Sequence, residues 1–394
     1  MMIGVGVRGV KHLSIDPRRS TKIAATLTLV AMLAGACGHG VFSGNSSSSS
    51  TGGGGGGSTT RSVYVTNFAD GKLSALSRSS GVPGSPATIK AGKANGPLGM
   101  AIASNPSALY VANAADNTIH EFALSASGNL SGLGTIAAGT APQQVLVLET
   151  SSSAFVYAIN LGGSISQYVI GSDGDLSSNT PSSTTSGLIT PVSGVLSSSF
   201  AYITDSGGGG VVLIFAINSD GTLASRPNSV FSLGIAGGNP AQIAMDNSGV
   251  WVFVGDATNG VVSAFQVSGS GLVSHFQTLA TGARVAGLAY AVTPGGNAFL
   301  YVANPTANTL TIYSFNIVTG VLTFSAAASG FVTPTGLAVD NASSAANLFV
   351  TNAGNGTVSG LSINSATGGL TSAGSSATEN PANSASSPQF ILVG

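Results

Sequence analysis

The chain has 394 residues, of which 43% are hydrophobic, 6% are charged and 56 are glycine, with a formal net charge of −1. Soluble proteins average roughly 25% charged residues, so Ser, Thr, Asn, Gly and Ala must build the surface. That balance gives no basic face for nucleic acid, and a single cysteine, Cys37, excludes an internal disulfide framework.

Taken in chain order, the first segment reads as an export signal. Arg8, Lys11, Arg18, Arg19 and Lys22 precede an apolar run from Ile23 to Ala36. That run has the length of a signal core and is shorter than the ~20 residues a spanning helix needs. Arg18-Arg19 form a twin-arginine pair, with Thr21 where such signals prefer an aromatic residue. The run ends Leu33-Ala34-Gly35-Ala36-Cys37, which resembles a bacterial lipobox, although Ala34 stands at the usual leucine position. Residues 1–36 are therefore expected to be a lipoprotein-type signal peptide and Cys37 the lipidation site. An ordinary signal peptide with a cysteine near its cut is the other reading. Five of the 12 basic residues and one of the 13 acidic ones precede Cys37, so the chain from Cys37 onward carries −5. The expected location is the cell envelope, with membrane contact through the lipid anchor only and no nucleic-acid partner.

Residues 37–61 include five serines at 46–50 and six glycines at 52–57. Such a tract has nothing apolar to bury and is expected to be a flexible tether.

From residue 62 onward one pattern recurs: an apolar residue, Tyr or Phe, Val or a similar residue, any residue, then Asn or Asp. The copies centre on Tyr64, Tyr110, Tyr157, Tyr202, Phe253, Tyr301 and Phe349, at spacings of 46, 47, 45, 51, 48 and 48 residues. A period of that size marks a repeat architecture. Each copy alternates as a strand should. A turn and a second alternating run follow, such as Thr309–Phe315 and Thr357–Ile363. A glycine turn comes next, at Gly128, Gly174, Gly221, Gly271, Gly320 and Gly368, where glycine supplies the positive φ of a hairpin. A looser outer strand then leads to a small, apolar run opened by proline, at Pro97, Pro142, Pro240 and Pro334. Small residues suit an innermost strand, and proline is tolerated at a strand's first residue. Four antiparallel strands per period, arranged radially, predict an all-β, seven-bladed β-propeller over 62–394. The first copy has no inner strand before it, and the chain ends on an inner strand with no blade after it. Residues 388–393 are therefore expected to pair with 62–67 and close blade one.

These YVTN, YVAN and FVTN runs, with their glycine turns and proline-led strands, resemble the YVTN repeats of the lactonase-type seven-bladed propellers, the group that includes 6-phosphogluconolactonase. The resemblance covers 62–394 and implies the propeller fold. The group's enzymes carry Pro-Arg-His opening an inner strand and Asn-Glu closing a repeat strand. Here Leu98, Gln143, Val192, Ala241, Thr335 and Gln389 follow the prolines, and no repeat strand ends Asn-Glu. No catalytic residue carries over.

In a propeller, the loops entering the inner strands and those leaving the repeat strands share one face, the mouth of the central channel. That face holds Asn67, Asn113, Asn160, Asp205, Asp256, Asn304 and Asn352, either as a polar ring or as groups bonding their own turns. Arg284 breaks the pattern, standing at or beside the place of the missing proline in blade six. A guanidinium there suits a carboxylate or phosphate, although a surface loop arginine is the plain alternative. Gln143, Gln242 and Gln389, with Gln144, stand just inside inner strands and could bind a ligand, backbone or water. His120 and Glu121 are adjacent on one strand and face opposite ways. His275 lies on an outer strand, and Glu149 ends an inner strand away from the mouth. Asp173-Gly174-Asp175 is a calcium-loop fragment without the remaining ligands, so neither a metal nor a cofactor is expected. The leading expectation is a monomeric binding or scaffold module offering its mouth to a protein, peptide, glycan or small anionic ligand. A lactonase with Arg284 on an anionic substrate, or a structural envelope protein without a ligand, are the alternatives.

Overall fold

A computed structural model describes residues 62–233, 237–341, 346–379 and 382–394. The leader, Cys37 and the tether lie outside the described residues. Seven four-stranded antiparallel sheets follow one another around a ring. Blade one combines Pro388–Val393 with Ser62–Asn67, Lys72–Ser79 and Val82–Lys90. Val65 pairs with Ile391 and Asn67 with Pro388, so the chain's own end closes the ring. Each described strand finds its sheet partners within 62–394.

The inner strands begin at the prolines. Pro97, Pro142, Pro191, Pro240, Pro334 and Pro388 each open a strand and pair with the Asn or Asp that ends the neighbouring repeat strand. Blade six departs from this. Its inner strand runs Gly287–Val292, and Leu288 pairs with Val302 as Ile243 pairs with Val254 in blade five. That register places Val285 at the proline's position and Arg284 one residue before it. Asn304 Nδ2 instead donates to the Ala283 and Arg284 carbonyls, at 3.1 and 3.2 Å.

The core lies between blades. Leu300, Val302 and Tyr313 of blade six pack against Trp251, Phe253 and Val262 of blade five. Val63, Val65 and Leu76 of blade one pack against Ala338, Phe349 and Val358 of blade seven. A fully buried Phe contributes roughly 1.5–3 kcal/mol, so each seam rests mainly on its apolar side chains.

The repeated tyrosine and glycine turn meet across the seams. Tyr64, Tyr110, Tyr157 and Tyr301 each donate a hydroxyl hydrogen bond to the carbonyl of the next blade's turn glycine: Gly128, Gly174, Gly221 and Gly368, at 2.7–2.9 Å. Between blades five and six a ring takes over this contact. A Cβ added to Gly320 would lie 1.9 Å from Trp251, at a φ of +75°. The two halves of the repeat signature are therefore partners of one another.

A second set of clips uses carboxyl and amide groups. Glu121 accepts the Leu176 N–H at 2.7 Å, and Gln167 accepts the Leu223 N–H at 2.6 Å. Both stand opposite a repeat tyrosine. In blade five that place holds Ala264, too short to reach, and Gln277 paired beside it accepts the Leu322 N–H instead.

Candidate functional site

The seven Asn and Asp side chains at the ends of the repeat strands are buried. Their hydrogen bonds go to the loops around them. Asp205 accepts from the Ile189, Thr190 and Gly207 N–H groups. Asp256 accepts from Asn239, Thr258 and Asn259. Asn113 donates to the Ala91 carbonyl, and Asn352 donates to Thr357 and Ser359 while accepting from Val332. These groups shape the mouth loops and do not form an open polar ring.

The candidate glutamines are spread around the channel on blades one, three and five. Gln143 bonds the Ala141 carbonyl at 3.0 Å, and Gln389 bonds Ser387 Oγ at 2.8 Å. Gln144 reaches into blade four, donating to the Gly194 carbonyl and accepting the Gly194 N–H. Both ends of that amide are occupied, and they tie two inner strands together. A cavity of about 90 Å³ lies beside it, between the inner strands of blades two, three and four, with Gln144 its one polar side chain among Met100, Ile102, Leu146, Val147 and Leu196. Such a lining offers nothing for acid–base chemistry.

Gln242 holds the place in blade five that Gln144 holds in blade three. It pairs with Gly255, and cross-strand partners share a face. A Cβ on Gly255 would meet Val285 at 2.4 Å and Leu288 at 3.5 Å, so this face looks at blade six. In blade six, however, Leu288 replaces the glycine that Gln144 grips in blade four. Gln242 is fully buried, donates only to the neighbouring Ala241 carbonyl, and its Oε1 meets no donor among the described residues.

Arg284 stands on the mouth loop one residue before Val285, which packs at this seam, and is half-buried. Four other cations have partners, while Lys90 is exposed. Lys72 pairs with Asp70 and Glu379, Lys93 with Asp116, and Arg78 with Asp340. Arg226 lies over the Phe200 ring and donates to the Ser270 carbonyl. Among the described residues, Arg284 has no carboxylate within ion-pair distance. A partly desolvated cation gains from a counter-charge. The ring thus brings Arg284 and Gln242 to one seam and leaves Gln143 and Gln389 elsewhere on the channel.

The remaining titratable groups serve the scaffold. His120 and Glu121 stand opposite Val111 and Tyr110; burial lowers the His120 pKa, with Asp116 opposing. His275 Nε2 bonds Thr278 Oγ1 at 2.8 Å, and Glu149 accepts from the Ser104 and Asn105 N–H groups. Asp173 accepts the Asp175 N–H within its own turn. Two charged clusters between blades one and seven escaped the repeat pattern. Arg78 and Asp340 pair with side-chain exposures of 6% and 2%, and Lys72 bridges Asp70 and the buried Glu379. Arg78 had a visible signal, a charge following the apolar and small run Leu73–Ser77; its partner lies too far along the chain for spacing to reveal.

No family model and no curated protein matches the sequence. Solved structures do. A candidate 6-phosphogluconolactonase from Bacteroides fragilis is similar with a TM-score of 0.68 and 16% identity, over 87% of this chain and 100% of that one. The periplasmic gluconolactonase of Pseudomonas aeruginosa is similar with a TM-score of 0.66 and 16% identity, over 84% and 98%. AztD from Citrobacter koseri is more distant, with a TM-score of 0.53 and 9% identity over 85% and 98%. The fold is that of the lactonase-type seven-bladed propellers. At these identities the likeness is one of fold, and function has to come from the site.

Proposed function

We propose that this protein is an extracytoplasmic binding module, lipid-anchored through Cys37 and tethered by residues 37–61, whose mouth holds an anionic group at the seam of blades five and six. One observation carries the reading: Arg284 is half-buried at the mouth without a carboxylate partner among the described residues, on the seam where the Gln242 Oε1 is buried without a donor. A ligand pairing an anionic end with a nearby hydroxyl or amide N–H satisfies both. A small acid, an acidic glycan and a peptide carboxylate all fit that description. Calorimetric titration of residues 62–394 with sugar acids, sulfated glycans and acidic peptides tests it. Binding that Arg284→Gln abolishes supports the reading; affinity unchanged by that substitution sinks it.

A lactonase is the second reading, favoured by the likeness of fold to two gluconolactonase-type propellers. In it Arg284 would hold an anionic substrate. Against it stands the scaffold role found for each titratable side chain described above, which leaves no paired acid and base at the mouth among the described residues. A hydrolysis screen of residues 62–394 on sugar lactones and acyl-lactones, beside Arg284→Ala, separates the two. Turnover that the substitution abolishes makes the protein an enzyme, whereas blank rates on every lactone leave the binding module.

A further inference from the structure

We propose that the mouth hairpin of blade two is a calcium site, with Asn113 Oδ1, Asp116 Oδ1, Thr118 Oγ1 and the Lys93 carbonyl oxygen as its protein ligands. The three side-chain oxygens belong to one hairpin, are buried, and accept no hydrogen bond among the described residues. Asn113 is fully buried and pairs with Thr118 across the hairpin, so their side chains share a face. Asp116 lies in the turn between them, and its Oδ2 accepts the Lys93 N–H at 3.2 Å. Asn113 Nδ2 donates to the Ala91 carbonyl at 2.7 Å. The hairpin therefore faces the loop 91–96 that enters blade two. A Cβ on Gly96 would collide with Asn113 Oδ1 and lie 2.6 Å from the Lys93 carbonyl oxygen. Glycine there keeps open a space bordered by both oxygens.

Comparison of the repeats explains why Asn113 is left over. In blades one, three, six and seven a hydroxyl on the neighbouring strand bonds the repeat asparagine: Ser74, Ser166, Thr311 and Ser359. In blade two that place, opposite Val111, holds His120. A buried amide oxygen without a donor is costly, and a cation removes the cost as well as a donor does. Blade one has the same spacing from Asn67 to Asp70, but Lys72 stands where blade two has Thr118. Its ammonium bridges Asp70 and Glu379 and fills that position. In blade two the carboxylate keeps a looser partner. Lys93 Nζ lies 2.7 Å from Asp116 Oδ1 on a side chain that is 74% exposed, and an exposed pair contributes at most about 1 kcal/mol.

The ligand set selects the ion. Among the described residues no three His, Cys, Asp or Glu side chains converge, so a metal that seeks thiolate or imidazole has no ligands here. A carboxylate, an amide, a hydroxyl and a backbone carbonyl are hard oxygen donors. Calcium accepts six to eight such oxygens at about 2.3–2.6 Å in adaptable geometry, waters included, whereas magnesium demands a tighter octahedron. One carboxylate gives little ligand charge, which places the affinity at about 10⁻⁴–10⁻³ M. No calcium-loop spacing announces the site, because its ligands come from two separate loops.

Calorimetry and thermal melts of residues 62–394 with CaCl₂, MgCl₂ and NaCl at constant ionic strength test this. Calcium should bind in that range and raise Tm, and Asp116→Asn should abolish both effects. Thr118→Val removes a hydroxyl that has no partner among the described residues; it should leave the calcium-free Tm unchanged and weaken binding about fivefold. Lys93→Gln removes the competing ammonium and should tighten binding about two- to fivefold, the reverse of what a purely structural ion pair predicts. Absence of calcium binding in both the parent and Lys93→Gln overturns the proposal. So does calcium binding that ignores Asp116→Asn and Thr118→Val, or a response that NaCl reproduces. None of these outcomes bears on Arg284, which stands in blade six.

Discussion

Glu121 shows how one position can hold a seam together and still cost stability. Burial raises its carboxyl pKa above the ordinary 4.5, while the Leu176 N–H opposes the shift. The folded protein holds that proton more tightly than the unfolded chain does. Its stabilising contribution is therefore full below the ordinary value and is lost as pH rises through the folded one. Gln167 performs the same task in the next blade as a neutral amide. Glu121→Gln should keep the Leu176 bond and raise Tm at pH 7, and the two proteins should converge below the ordinary carboxylate value. Thermal melts over a pH series read this out; a variant less stable at every pH contradicts it. The repeat tyrosines make a simpler case. Tyr301→Phe removes the bond to Gly368 and leaves a buried carbonyl unpaired, a loss of about 1 kcal/mol or somewhat more. Denaturant unfolding should show a lower midpoint with an unchanged slope.

At the scale of elements, the closing blade is the point to test. Its strands come from both ends of the described chain, and its seam with blade seven holds the Arg78–Asp340 pair. Removing one partner leaves a buried charge uncompensated, so Asp340→Ala should cost about 3–5 kcal/mol, whereas replacing both partners by apolar residues costs far less. A double-mutant cycle on Arg78→Leu and Asp340→Leu measures the coupling; additive losses would show that the pair does not act as one unit.

The elements also mark where the sequence was readable. Period, glycine turns and proline-led strands all follow from local backbone rules, so the blade count and the 388–393 closure were predicted and are found. Blade six was harder. Val285 has no proline to announce it, and only the pairing of Leu288 with Val302 fixes Arg284 one residue before the usual opening. Gln144 and Gln242 look alike in sequence, yet one is saturated and the other is not. The difference is Gly194 against Leu288 on the following blade, some fifty residues away, and no local spacing carries that. The Glu121 and Asp340 contacts were hidden for the same reason.

For the molecule as a whole, the ring sets a division of labour. Apolar seams, tyrosine–glycine bonds and amide clips hold the blades, and they occupy most of the polar side chains that might otherwise do chemistry. Among the described residues, buried oxygens without a partner remain at several places, Asn67, Asn113 and Asn160 Oδ1 included; the Gln242 carbonyl is the one on the seam that the Arg284 loop adjoins. The central claim is that Arg284 takes an anion. Residues 62–394 contain only three arginines, Arg78, Arg226 and Arg284, so the arginine Nε–H region of a nitrogen–proton NMR spectrum holds three signals, and Arg284→Lys identifies one of them. The measurement is an anion titration followed on those three. The Arg284 signal should move and gain protection from exchange while Arg78 and Arg226, already paired with Asp340 and Ser270, stay still. An Arg284 signal unmoved by carboxylate, sulfate and phosphate ligands alike would contradict the account.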